Sequence, residues 1–101
     1  MSRPLNSTAV VFHAAIRAGG EIKNLTFELR ERRGWTGISM QGNAGYPGHR
    51  DLAEKAVRDI NALLHAGFPF EGLAIAARLS QSNHAEIIRS AAERIGARAA
   101  A

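Results

Sequence analysis

Residues 8–32, TAVVFHAAIRAGGEIKNLTFELRER, decide how this chain folds. The run 8–18 is apolar at positions that suit a short helix or a strand equally, so its own periodicity leaves the choice open. Its pairing with residues 21–32 settles it. With Gly19-Gly20 as a two-residue hairpin loop, Ala18 stands opposite Glu21, and the register sets Ala14 against Leu25, Phe12 against Phe27 and Val10 against Leu29. These six apolar residues then share one face, whereas a slip of one position would send each to the other. Ile16 against Lys23 is the one poor pair.

The same reasoning extends downstream. A two-residue loop at Arg33-Gly34 places Leu29 opposite Ile38 and Phe27 opposite Met40, which carries the apolar face into a third strand. Arg33 would need a positive φ there, at about 1 kcal/mol for a non-glycine residue, and a wider loop with a bulge at Gly34 is the alternative. The opposite face reads Val11, His13, Arg17, Thr26, Glu28, Arg30, Ser39 and Gln41, and is mostly polar.

From Asp51 the period becomes helical. Leu52, Ala56, Ile60, Leu63 and Leu64 form a stripe, with Asp51–Lys55 and Glu54–Arg58 spaced as i, i+4 pairs on the other side. Gly67 is placed for a left-handed cap, and Pro69 cannot continue the helix. A second helix is expected to begin near Ser82 or Asn83, with Glu86 completing a capping box, to bury Ile87, Ile88, Ala91 and Ile95, and to stop at Gly96. Between them Leu73, Ile75, Ala77 and Leu79 alternate with Ala74, Ala76 and Arg78, which reads as a fourth strand over 72–79, with a helix as the alternative. The expected fold is therefore α+β in the order β-β-β-α-β-α: a mostly antiparallel four-stranded sheet with two helices packed on one face. One domain is expected over residues 1–101, with an ordered core of about 7–96 and frayed ends at 1–6 and 97–101.

Composition agrees with one small globular domain. Hydrophobic residues make up 46% of the 101 and charged residues 22%, which excludes a disordered or low-complexity chain. Cysteine is absent, so disulfides, thiolate nucleophiles and cysteine-based metal sites are excluded together. No apolar run is long enough to span a bilayer, and the interrupted run from Ala9 to Ile16 does not suit a secretory signal; no membrane association and a cytoplasmic location are expected. The net charge of +4 lies wholly in residues 1–50, where seven bases face three acids. Such asymmetry suits a surface that meets phosphate, although arginine outnumbers lysine 11 to 2 and a GC-rich genome produces the same bias.

Two places concentrate groups that could bind. Gly42, Gly45 and Gly48 punctuate a loop that ends in His49 and Arg50 and leads into the first long helix, so backbone N–H groups and the helix N-terminus could cradle an anion held by His49 and Arg50. The spacing is neither a dinucleotide fingerprint nor a P-loop, and a plain connection with Tyr46 and Pro47 packed at the domain edge is the other reading. Arg30, Arg32 and Arg33 with Trp35 form the second concentration, suited to gripping a nucleic-acid backbone while a base stacks, or else to a solvated hairpin tip. His13, His49, His65 and His84 have no metal-ligand spacing, and Ser7, Ser39, Ser80, Ser82 and Ser90 have no nucleophile motif around them. No metal, cofactor or catalytic residue is expected.

Residues 25–64, a strand, glycine loop and helix with basic residues near the helix start, resemble part of a double-stranded RNA-binding domain. The Lys-Lys pair at the helix start is missing and the extra strand and helix are not accounted for, so the resemblance assigns no family. Two functions from different classes are expected. The first is a nucleic-acid-binding or regulatory module using Arg30, Arg32, Arg33, Trp35 and Arg50. The second is a protein-interaction or homodimeric domain using an exposed sheet face or edge, with Ala74 and Ala76 expected beside Val11 and Ala15 on that face.

Overall fold

The computed structural model describes residues 8–32, 35–42 and 45–100. Three strands, β1 (Thr8–Ala18), β2 (Glu21–Arg32) and β3 (Trp35–Gln41), are followed by three helices, α1 (Pro47–His65), α2 (Phe70–Ala77) and α3 (Asn83–Ala100). The sheet is antiparallel in the order β1-β2-β3, and both registers are those that the turn residues imply. Gly19 at φ 58° and Gly20 at φ 83° take the left-handed region at both central positions of the first turn, as a tight hairpin matched to the strand twist requires. Arg32 pairs with Trp35 at the second turn, whose Arg33 and Gly34 lie outside the described residues.

The inward face builds the core. Phe12, Ala14, Ile16, Leu25, Phe27, Leu29 and Ile38 are buried against α1 and α3, and the Phe12 and Phe27 rings stack with centroids 5.4 Å apart. Ile16 is fully buried opposite Lys23, so the poor pair is resolved by the strand end: Lys23 carries its ammonium outward to sit 5.3 Å from the Tyr46 ring centroid.

The four-stranded sheet with two helices is not the architecture. Residues 70–77 form α2, and the class is α+β with three strands and three helices. The alternation of Leu73, Ile75 and Leu79 is coincidental: Ala77 is buried and Phe70, Leu73 and Ala74 are half-buried, at i, i+3, i+4 and i+7, while Ile75 and Leu79 are exposed. Alanine supports this helix at Ala74, Ala76 and Ala77, being the strongest helix former. Ala74 and Ala76 therefore do not join Val11 and Ala15 on the sheet.

Four further expectations are corrected. α1 starts at Pro47, whose missing N–H costs nothing in the first turn, and its buried stripe is His49, Ala53, Ala56, Val57 and Ile60, leaving Leu52 and Leu63 exposed. Its ion pairs are Arg50–Glu54 at 2.9 Å and Lys55–Asp59 at 2.9 Å, one residue out of step with those expected. α3 does not stop at Gly96 but continues to Ala100. Ser82 provides its cap, accepting from the Ala85 N–H at 3.2 Å, while Glu86 turns to Arg89. α1 ends as expected, with Gly67 at φ 103° and the Phe68 N–H returning to the Leu63 carbonyl at 3.1 Å.

Candidate functional site

The basic residues do not gather. Arg30 lies on the outer face of β2 and is paired with Glu28 at 3.0 Å, while Arg50 lies in the first turn of α1, paired with Glu54. Arg17 stands at the opposite end of the outer face from Arg30, since Arg17 pairs with Ile22 and Ile22 lies eight residues from Arg30 along β2, roughly 26 Å at strand rise. Arg32 and Trp35 are placed by their backbone pairing alone, and Arg33 lies outside the described residues. Arg17 and Arg30 therefore lie too far apart to hold one phosphate, and Arg30 and Arg50 lie in different layers.

The glycine loop is partly dissolved into the helix. Gly48, His49 and Arg50 belong to α1, not to the connection, because Pro47 opens the helix. His49 is buried with Nε2 3.3 Å from the Glu21 carbonyl oxygen, so its ring ties the helix start to the first hairpin. Gly45, Gly48 and His49 do share a shallow recess with Gly19, Glu21 and Lys23, while Gly42, at φ 43°, ends β3 outside it.

Strand edges provide the more informative geometry. In an antiparallel ladder, alternate residues of an edge strand turn both N–H and C=O away from the sheet. In β3 those residues include Ile38, whose N–H donates to Asn61 Oδ1 at 2.8 Å and whose carbonyl accepts from Asn61 Nδ2 at 2.9 Å. One side-chain amide from α1 therefore mimics a neighbouring strand at the middle of that edge. Asn83, at the start of α3, does the same for β1, but at its end: Arg17 N–H donates to Asn83 Oδ1 at 3.0 Å and Asn83 Nδ2 donates to the Arg17 carbonyl at 3.0 Å.

Both plugs sit at positions set by the turns. With Ala18–Glu21 closing a tight hairpin, the outward residues of β1 are Ala9, Val11, His13, Ala15 and Arg17. Arg17 alone is covered; among the described residues no group bonds the outward N–H or C=O of Ala9, Val11, His13 or Ala15. An open edge of this length pairs readily with another strand. No protein-family model, curated protein or solved structure matches this chain.

The side chains along that edge are mixed. Val11 is 46% exposed, and His13 Nδ1 lies 3.3 Å from the Thr26 hydroxyl. Beneath the edge, Ser90, Glu93 and Arg94 of α3 line a groove with Val11, Phe12 and His13. Asn61 was not singled out from the sequence, and Asn83 was named there only as a candidate start of the second helix; the readable signal for their edge contacts was only their place on helices that must flank the two outer strands. Truncating Asn61 to alanine should lower stability by about 1–2 kcal/mol in urea denaturation, since two half-buried backbone groups lose their partners together.

The remaining polar cluster is structural. Asp59 of α1 accepts from Lys55 at 2.9 Å and lies 2.9 Å from His84 Nε2 of α3. The His84 hydrogen bond first, and that of Lys55 second, hold the Asp59 carboxyl below its usual range. A lowered folded-state value stabilises the fold above the ordinary carboxylate pKa of about 3.9, and that contribution disappears as pH falls through the folded value. Asp59→Asn should therefore be less stable than the parent at pH 6, with the difference closing below about pH 4 in denaturation midpoints. Among the described residues no group of three or more histidines and acids could hold a metal ion, and no helix is long and apolar enough to cross a membrane.

Proposed function

We propose that this chain is a non-enzymatic protein-interaction module that adds a strand of its partner to the open edge of β1. The observation that carries this reading is the run of outward backbone groups at Ala9, Val11, His13 and Ala15, left open where Asn83 and Asn61 close the Arg17 and Ile38 positions. Main-chain pairing supplies the affinity in such recognition, and alternate side chains supply selectivity. A nucleic-acid function draws less support, because Arg30 and Arg50 are ion-paired in different layers of the fold.

Val11→Pro tests the edge. Proline at an edge position removes a donor that points to solvent and leaves the β1–β2 ladder intact. A random-peptide library panned on the sparsely immobilised chain should yield binders whose affinity falls about fivefold on Val11→Pro, the loss of one net hydrogen bond. Binders indifferent to Val11→Pro, or nucleic acid held by the chain at physiological salt with the same indifference, would overturn the reading.

A further inference from the structure

We propose that the strand received by the β1 edge is β1 of a second copy, paired antiparallel about a two-fold axis at Phe12, so that two sheets join into one of six strands. This deepens the strand-addition reading and rests on it.

The open run is self-complementary. Its four outward residues are Ala9, Val11, His13 and Ala15, and they are symmetric about Phe12. Pairing about that point sets Ala9 opposite the partner's Ala15 and Val11 opposite the partner's His13, and uses every open N–H and C=O. A two-fold at Val11 would leave Ala15 without a partner residue in the open run. A two-fold at His13 would set Ala9 against Arg17, whose backbone Asn83 already holds. Only the Phe12-centred register uses the whole run and leaves Asn83 undisturbed. An isologous contact of this kind closes at two copies and leaves no open β1 edge for a third.

The groove below the edge fits the same axis. It runs past Phe12 and carries one acid and one base, Glu93 and Arg94, both exposed on α3. A two-fold through Phe12 brings this groove against its own copy with the helices antiparallel, so that Glu93 faces the partner's Arg94 and the reverse. A surface with one sign of charge would repel itself here; this one complements itself. Along the outer face at the junction the two alanines Ala9 and Ala15 flank Val11 and His13.

The chain has no cysteine, which gives a clean covalent test of partner and register together. Directly opposite residues of a hydrogen-bonded antiparallel pair have Cα atoms about 5.5 Å apart, within disulfide range. The double variant Val11→Cys/His13→Cys should form a disulfide-linked dimer under mild oxidation, and Ala9→Cys/His13→Cys, which is out of step in this register, should not. Sedimentation of the unmodified chain should show mass doubling from 10.8 kDa as concentration rises to the millimolar range. Arg94→Glu should weaken that dimer roughly tenfold at low salt through two lost ion pairs and two repulsive ones.

A strict monomer with no cross-link from either double variant overturns the proposal, and so does preferential cross-linking of the Ala9/His13 variant. If the monomeric chain still binds library peptides in a manner sensitive to Val11→Pro, strand addition stands and the second copy alone is rejected. If peptide binding fails as well, both fall.

Discussion

Phe27→Ala is expected to lower stability by about 3–5 kcal/mol. Phe27 is fully buried at the middle of the central strand, paired with Phe12 on one side and Met40 on the other, and its ring stacks on Phe12. Among the described residues β2 is the one strand hydrogen-bonded on both sides, so a cavity there is walled by backbone that has little freedom to collapse, and the lost transfer energy is joined by the full cavity term. For a domain whose whole stability is of the order of 5–15 kcal/mol, that loss leaves a marginal fold. Urea denaturation of both chains measures it; a loss below about 1 kcal/mol would mean that the ring lies outside the cooperative core.

That centrality was legible in the sequence because two turns independently demanded it. Gly19-Gly20 permits a short list of hairpins, and once Ala18 stands against Glu21 every pair to Val10 and Leu29 is set by alternation. A second loop, at Arg33-Gly34, returns the same inward face to Ile38 and Met40. Agreement between two turns is a constraint on long-range pairing, which a single segment's propensity never supplies. Residues 70–79 had no such partner. Their alternation fitted a strand as well as Phe70, Leu73, Ala74 and Ala77 fitted a helix, and alanine, small enough for either interior, removed the contrast that separates the two periods. What decides in favour of α2 is tertiary. Asn61 occupies the middle of the β3 edge, and residues 70–77 bury Phe70, Leu73, Ala74 and Ala77 as a helix packed against α3.

The candidate site was legible only in part. An exposed edge or face of the sheet was expected, and the strand that carries the open run was read in register from the sequence. Its limits were not, because they depend on which helical amide reaches which backbone group, and Asn61 lies 23 residues from Ile38 while Asn83 lies 66 from Arg17. The clustering of arginine in the first half was a fact of order along the chain alone. In three dimensions Arg30 and Arg50 part company because one sits on the outer face of the sheet and the other on a helix beneath it.

Arg89→Met is expected to lower stability by about 1.5–3 kcal/mol, and it tests whether a guanidinium clamp holds α2 in place. Arg89 Nη1 donates to the Ala77 carbonyl at 2.6 Å and the Ser80 carbonyl at 2.7 Å, and Nη2 donates to Glu86 at 2.6 Å. Ala77 ends α2, where carbonyls lack helical partners and the dipole is negative, so a cation placed there satisfies backbone acceptors and offsets the end charge at once. α2 is only eight residues long, too short to persist by propensity, and exposes Ile75; its position depends on docking against α3 and on this clamp. Methionine keeps the apolar stem and removes the fork, which isolates the polar contribution from packing. Arg89→Lys should recover less than half of the loss, because a single ammonium cannot span two carbonyls and a carboxylate with the geometry of a planar guanidinium. Urea midpoints give the energies, and hydrogen exchange gives the place: the amides of Leu73 to Ala77 should lose protection in Arg89→Met while those of Leu25 to Leu29 keep theirs. A loss below about 0.5 kcal/mol, or exchange that rises evenly across the sheet, would mean that apolar docking alone holds α2.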